Sequence, residues 1–120
     1  MITKVNKKVI GRYGEDQAAK FLLNNSYKII YRNYYIKGCG EIDIIAEESG
    51  YLVILEVKTR LSNDFNALAA VDLNKQKKLA RLAEFFIYQN DKYRDWLVRF
   101  DVVGINNNKL SLIKDAFIIM

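Results

Sequence analysis

The sequence contains no histidine. Histidine supplies the base in Ser-His-Asp and Cys-His catalysis and is a frequent zinc ligand, so its absence excludes those kinds of site. The single cysteine, Cys39, has no partner for an internal disulfide. Without a histidine beside it, Cys39 is favoured as a structural thiol over a nucleophile. Any chemistry of this chain therefore falls to carboxylates and lysines.

Proline is also absent, and no apolar stretch approaches the roughly 20 residues that a membrane span needs. The basic N-terminus is not followed by the apolar run of a signal peptide. We therefore expect a cytoplasmic protein with no membrane partner. The length of 120 residues and the hydrophobic content of 51% predict a single domain, residues 1–120, with a substantial core.

Basic residues outnumber acidic ones, 19 to 14, which gives a net charge of +5. Two clusters stand out: Lys4, Lys7, Lys8 and Arg12 near the N-terminus, and Lys75, Lys77, Lys78 and Arg81 further on. Such clusters bind nucleic-acid phosphates without reading base sequence. We expect Arg12, Arg60, Lys75 and Lys77 to do so, with Arg99 as a further candidate. The alternative is a solvated basic face that only aids solubility.

Hydrophobic patterning and turn residues predict two helices and five strands. The helices are expected at residues 9–24 and 72–89, and the strands at 27–35, 41–47, 51–59, 97–105 and 109–114. Residues 61–71 form the longest irregular stretch. This order of elements predicts the α/β class, with a mixed five-stranded central sheet flanked by helices.

The second and third strands form a predicted hairpin around the turn Ser49-Gly50. Such a turn pairs residues whose numbers sum to 99, so Asp43 faces Glu56 and Glu41 faces Lys58. Alternation puts these four charged residues on one face and Ile42, Ile44, Leu55 and Val57 on the other. Directly opposed carboxylates destabilise a sheet, so we expect a cation between Asp43 and Glu56. Magnesium prefers such oxygen ligands; an ordinary solvated charged face is the alternative.

Each helix contributes one polar residue to an otherwise apolar stripe. Glu15 aligns with Ala18, Ala19 and Leu22, and Gln76 aligns with Leu79, Ala80, Ala83 and Ile87. A carboxylate directed at a core is costly unless it is paired or binds a metal. Each residue alone is typical of a helix end near solvent. Together with the hairpin, Glu15 and Gln76 predict one polar pocket closed by both helices.

These residues resemble a known family of small bacterial proteins, the YraN family. The resemblance rests on four short segments: Gly14-Glu15, Gly40-Glu41-Ile42-Asp43, Glu56-Val57-Lys58-Thr59-Arg60 and Gln76-Lys77. It extends from about Gly11 to the C-terminus. The family in turn resembles the PD-(D/E)xK nucleases, particularly the Holliday-junction resolvases, which implies the restriction-endonuclease-like fold.

The resemblance also implies roles for individual residues. Asp43 and Glu56 would bind Mg²⁺ or Mn²⁺, with Glu15 as an additional ligand. Lys58 would orient the attacking water and offset charge on the phosphate, and Gln76 would lie beside the site. Ile42 departs from the nuclease pattern, in which a proline often precedes the aspartate, but this departure is shared with YraN-like sequences.

Three functions remain open at this point. The first is a metal-dependent DNA endonuclease that acts on branched or damaged DNA in repair or recombination. The second is a nucleic-acid-binding accessory protein that keeps the fold without catalysis, and the third is an interaction module with a structural acidic cluster. Analogy with the resolvases also suggests a homodimer, because a four-way junction needs two cuts.

Overall fold

The computed structural model describes residues 7–60, 71–107 and 109–118, with side chains from residue 11 onward except at residue 60. All seven predicted helices and strands are present, with bounds within two residues of the prediction. Sequence analysis did not predict the short 3-10 turn that follows the second helix. The elements are α1 (Lys7–Asn24), β1 (Lys28–Ile36), β2 (Gly40–Glu48), β3 (Tyr51–Arg60), α2 (Leu73–Gln89), the 3-10 turn (Asp91–Tyr93), β4 (Leu97–Asn106) and β5 (Lys109–Ile113).

The five strands form one sheet in chain order, β1-β2-β3-β4-β5. Neighbouring strands are antiparallel except β3 and β4, which are parallel and are connected through α2. A parallel pair needs such a crossover connection, and α2 supplies it. The predicted mixed sheet flanked by helices is therefore confirmed, and it is consistent with the restriction-endonuclease-like fold. Of the predicted irregular stretch 61–71, residues 61–70 lie outside the described residues.

Each helix covers one face of the sheet with its own apolar cluster. The α1 cluster joins Ala18, Ala19 and Leu22 to the strands, and the α2 cluster does so with Leu79, Leu82, Ala83 and Phe86. The strand residues of the α1 cluster are Ile44, Ala46, Val53, Leu55, Val103 and Ile105. Those of the α2 cluster are Tyr34, Ile42, Ile45, Leu52, Ile54, Phe100 and Val102. Both faces of the central strands are thus buried.

The start of α2 is fixed by a side-chain cap. Asp72 accepts a hydrogen bond from the amide of Lys75 at 2.8 Å. Gln76 Nε2 donates to the carbonyl of Val71 at 3.1 Å, which ties the first turn to the preceding loop. The cap satisfies an amide that the helix cannot satisfy itself, and it fixes the residue at which α2 begins.

Helix α1 approaches β3 most closely at Gly14. A Cβ atom at this position would lie 2.1 Å from Thr59 Oγ1, 3.3 Å from Thr59 Cβ and 3.4 Å from Ile105 Cδ1. Only a glycine lets the backbone of α1 lie this close to the sheet. Gly14 therefore sets the depth at which the next residue, Glu15, meets the strands.

We predict that Gly14→Ala lowers the free energy of unfolding by about 1–3 kcal/mol, because the added methyl group forces α1 away from β3. Gly11→Ala is the matched control. Apart from its chain neighbours and its own helix backbone, no described atom lies within 4 Å of a Cβ there, so that variant should keep or gain up to about 1 kcal/mol of stability from helix propensity. Urea unfolding of both variants tests this, and equal midpoints would contradict the close-approach argument.

Candidate functional site

The site is centred on Asp43, at the point where the hairpin opens. The β2–β3 pairs run from Glu48 and Tyr51 to Ile44 and Leu55, so the register whose numbers sum to 99 is confirmed as far as that pair. Beyond it, the amide of Val57 donates to Asp43 Oδ2 at 2.8 Å. A side-chain carboxylate therefore continues the ladder, and it is held inside the sheet between the two strands.

The predicted division of the hairpin into two faces was wrong around Asp43. Ile42 packs in the α2 cluster, whereas Ile44 packs in the α1 cluster. The change of face coincides with an irregular backbone conformation in β1. Asn33 has φ +56°, and the β1–β2 pairs 32–44 and 34–42 bracket Asn33 and Asp43. Because simple alternation fails at this point, Glu41 lies on the α1 side and not with Glu56 and Lys58.

Three carboxylates meet on the α1 side of the opening. One oxygen each from Glu15, Glu41 and Asp43 lies within 4.8 Å of the other two. Asn33 bridges two of them, since its Nδ2 donates to Glu15 Oε2 at 3.0 Å and to Glu41 Oε1 at 2.8 Å. This asparagine was not predicted as a site residue.

Arg32 holds the other side of Glu15. Its guanidinium lies 3.2 Å from Glu15 Oε1 and 2.6 Å from Asp16 Oδ1. Both oxygens of Glu15 thus accept hydrogen bonds from β1. With Arg12, Gly11 and the carboxylates of Glu15, Asp16 and Glu41, these β1 residues line an open cleft of about 620 Å³.

Glu56 is the main acidic residue on the α2 side, and only 4% of it is exposed. Its Oε1 lies 3.5 Å from Lys58 Nζ and 3.6 Å from Lys75 Nζ. Its Oε2 is buried and has no hydrogen-bond partner among the described residues. Leaving such an atom without a partner costs about 1–3 kcal/mol, and more when the group is charged.

The chain buries another carboxylate in a different way. Asp101 is 1% exposed, and both of its oxygens are satisfied by Arg99 at 2.9 and 2.8 Å. Tyr27 and the amide of Asp115 add further hydrogen bonds to Asp101 at 2.8 and 2.9 Å. The expectation that Arg99 contacts nucleic acid was therefore wrong, because its side chain is buried in this cluster. Unlike Asp101, Glu56 has one carboxylate oxygen, Oε2, without a hydrogen-bond partner among the described residues.

The pKa of the Asp43 carboxyl is raised from its ordinary 3.8 to about 7, first by burial and then by the charge of Glu56, while the hydrogen bond from the Val57 amide opposes the shift. Burial likewise raises the pKa of Glu56, with Lys75 and Lys58 opposing the shift. The two carboxylates are thus not fully compensated by the cations around them. A divalent cation would supply the missing charge and a partner for Glu56 Oε2. Hard cations of this kind take carboxylate ligands, so the residues present fit Mg²⁺ or Mn²⁺.

Only some of the residues predicted on α2 and in the basic clusters lie at the site. The sequence prediction gave the α2 position in the site to Gln76, but the side chain that reaches Glu56 is that of Lys75. Arg12 lies at the cleft, and Lys77 is exposed on α2. The side chain of Arg60 lies outside the described residues, as do those of Lys4, Lys7 and Lys8. Within the described ranges, no helix has the length and apolar character required to span a membrane.

A family model agrees with the sequence over the elements that build this site. The model described as "Uncharacterised protein family UPF0102" matches residues 14–105. A UPF0102 protein of Caldicellulosiruptor saccharolyticus is 41% identical and covers 94% of this chain and 100% of its own length. Another, from Fusobacterium nucleatum, is 40% identical over 92% of each chain. The crystal structure of SSO0001 superposes with a TM-score of 0.48 and 13% identity over 92% of this chain, which spans about half (52%) of that protein.

We predict that Asp43→Asn stabilises the metal-free protein at neutral and higher pH. The wild-type Asp43 carboxyl has a raised pKa in the folded protein. The free energy of unfolding is therefore highest below about pH 4, where Asp43 is protonated in both states, and it falls as the pH rises through about 7. An asparagine keeps an acceptor for the Val57 amide but does not ionise. Unfolding in chelator from about pH 5 to about pH 8 should favour the variant increasingly, by on the order of 1 kcal/mol or more at the upper end.

Exposed Asp95 provides the control, since Asp95→Asn should unfold in parallel with wild type at every pH. Added Mg²⁺ or Mn²⁺ should stabilise the wild type and leave Asp43→Asn unchanged. Parallel curves for wild type and Asp43→Asn would show that Asp43 ionises without cost in the folded protein and would contradict the prediction.

Proposed function

The chain belongs to the UPF0102 family, the YraN family that its sequence resembles, and we propose that it is a metal-dependent DNA endonuclease. Its substrate would be a phosphodiester bond in branched or damaged DNA, in repair or recombination. The observation that carries the proposal is Glu56, a buried carboxylate beside Asp43 and two lysines, with one oxygen that has no hydrogen-bond partner among the described residues. Both oxygens of the buried Asp101, by contrast, accept hydrogen bonds from Arg99.

The proposed metal is Mg²⁺ or Mn²⁺, held by Asp43 and Glu56, with Glu15 as an additional ligand. Glu41 joins this set because its carboxylate lies in the same group as those of Glu15 and Asp43. When bound, such a cation would polarise a phosphoryl oxygen and lower the pKa of a coordinated water. The chain contributes the oxygen ligands and holds Asp43 in place through the backbone of β3.

Lys58 and Lys75 supply positive charge at the same point. Both ammonium groups lie near Glu56 Oε1, and their side chains are 23% and 33% exposed, so both are open to solvent and to a ligand. A cation fixed where negative charge develops on a phosphate stabilises the transition state. In this proposal Lys58 orients the water and offsets phosphate charge, and Lys75 adds a second charge from the first turn of α2.

The basic residues outside the acidic site favour the binding of a polyanion. The net charge is +5 although the site itself concentrates carboxylates. Arg12 borders the cleft beside Glu15, and Lys77 is exposed on the helix that carries Lys75. Contacts of these residues with phosphates would make binding fall with salt and would not depend on base sequence.

One observation supports a second candidate, a non-catalytic nucleic-acid-binding accessory protein that retains the nuclease fold. Both oxygens of Glu15 already accept hydrogen bonds from Arg32 and Asn33. Glu15 would have to exchange at least one of these partners to bind a metal. If it does not, the site keeps a metal through Asp43 and Glu56 with fewer protein ligands.

We predict that the wild-type protein cleaves DNA with Mg²⁺ or Mn²⁺ and that Asp43→Asn reduces cleavage to background while it retains DNA binding. The reason is that the substitution removes a charged ligand from the site and leaves the basic surface intact. Linear, nicked, flapped and four-way DNA should be compared in cleavage and gel-shift assays. The control Asp95→Asn should cleave like wild type.

Equal cleavage by wild type and Asp43→Asn would point to a contaminating nuclease and contradict the proposal. Salt-dependent binding without cleavage by either protein would support the accessory candidate instead. The DNA shape that the wild type cleaves fastest would identify the substrate class.

We predict that Lys58→Ala keeps DNA affinity within a few-fold but loses cleavage by roughly 100-fold, the usual scale for removing one preorganised electrostatic group. Lys77→Ala is the matched control, because it removes an exposed lysine that no described contact joins to Glu56. That variant should weaken binding slightly and leave the single-turnover rate of bound DNA unchanged. Unchanged cleavage by Lys58→Ala would remove Lys58 from its assigned role.

A further inference from the structure

The exposed face of α2 is divided into two parts of different chemistry. The N-terminal part carries Lys77, Lys78 and Arg81, all exposed and all basic. The C-terminal part carries Phe85 and Tyr88, which are 42% and 89% exposed. Neither ring packs in the α1 cluster or the α2 cluster, and the two lie one helical turn apart. The C-terminal part of α2 therefore presents an aromatic surface to solvent.

Tyr88 stands between two hollows on this face. One has a volume of about 460 Å³ and is lined by Glu84, Ile87, Tyr88, Asp91 and Arg94. The other, of about 350 Å³, is lined by Arg81, Glu84, Phe85 and Tyr88. The surface thus presents a projecting ring with a partly apolar hollow on either side, and the hollows share Glu84 and Tyr88.

The charges around the hollows balance. Arg81 and Arg94 are positive, and Glu84 and Asp91 are negative, so the rim sums to zero on a chain whose net charge is +5. A nucleic acid would be repelled by the two carboxylates as much as it is attracted by the two arginines. A surface that carries both signs in equal number is suited to its own copy, because a two-fold interface places each residue opposite the complementary part of the same patch.

We propose that this face, the α2 face formed by Arg81, Glu84, Phe85, Ile87, Tyr88, Asp91 and Arg94, is the interface of a homodimer. Tyr88 of each copy occupies a hollow of the other, and Arg81 and Glu84 pair between the copies at the rim, where Arg94 and Asp91 already pair within each copy at 3.5 Å. Tyrosine and arginine are the residues that most often carry the binding energy of interfaces. The proposal does not depend on the proposed nuclease activity.

The α2 face is also well separated from the carboxylates. Tyr88 follows Lys75 by 13 positions, which corresponds to roughly 20 Å along a helix at 1.5 Å per residue. Association through Tyr88 therefore leaves the site around Lys75 and Glu56, and the exposed Lys77, outside the interface. Each copy would keep its own complete site.

Sedimentation velocity of wild type, Tyr88→Ser and Tyr35→Ser tests the proposal, from low micromolar to several hundred micromolar protein. Wild type should form a species of twice the 14.0 kDa chain mass. Tyr88→Ser should raise the dimer dissociation constant at least about tenfold. Tyr35 is a matched control because it is also an exposed tyrosine, 62% exposed, but lies on β1; its variant should dimerise like wild type.

Equal circular dichroism spectra and melting temperatures will show that the variants are folded, which the exposure of both tyrosines leads us to expect. A wild type that stays monomeric at every concentration would overturn the proposal, as would a dimer insensitive to Tyr88→Ser. If Tyr88→Ser lowered affinity for a duplex oligonucleotide without changing the mass, the α2 face would be a nucleic-acid surface, which also overturns it.

Discussion

The opening between β2 and β3 at Asp43 is the constraint on which the site depends. Had the ladder continued, Asp43 and Glu56 would oppose each other directly, which is unfavourable for like charges. Instead the carboxylate of Asp43 takes the amide of Val57, while β2 continues to pair with β1 and β3 with β4. The opening lets side chains from both faces approach one point: Glu15 and Glu41 from the α1 side, and Glu56, Lys58 and Lys75 from the α2 side.

Stability and site geometry are coupled through α1. Gly14 brings the helix against Thr59 of β3, and the next residue, Glu15, then meets Arg32 and Asn33 of β1. A helix held one methyl group further from the sheet would carry Glu15 away from Glu41 and Asp43. The same close packing that stabilises α1 therefore also brings the acidic group together, and the two effects cannot be changed independently at Gly14.

Local chemistry made most of the fold predictable, and tertiary contacts limited the rest. The turn Ser49-Gly50 was sufficient to predict the register from Glu48–Tyr51 to Ile44–Leu55. The faces of Glu41 and Ile42 were wrong because they depend on a positive φ at Asn33 and a hydrogen bond to another strand. The asparagine within the apolar run of β1 was the available signal, since asparagine tolerates that conformation. Lys75 was missed as the α2 contact of Glu56 because that contact depends on how α2 packs across the sheet, which the residue spacing within the helix does not reveal.

The charge pattern of the chain separates its two candidate surfaces. Around the opening, burial raises the pKa of both Asp43 and Glu56 in spite of the nearby lysines, so positive charge from a ligand is favourable there. On the α2 face the two signs balance, so neither a cation nor a polyanion gains from long-range attraction. The N-terminal end of α2 thus contacts the acidic site through Lys75, whereas its C-terminal end carries Tyr88 and the surface proposed to bind a second copy. Since a Debye length at physiological salt is only about 8 Å, the two ends, roughly 20 Å apart, act independently in electrostatic terms.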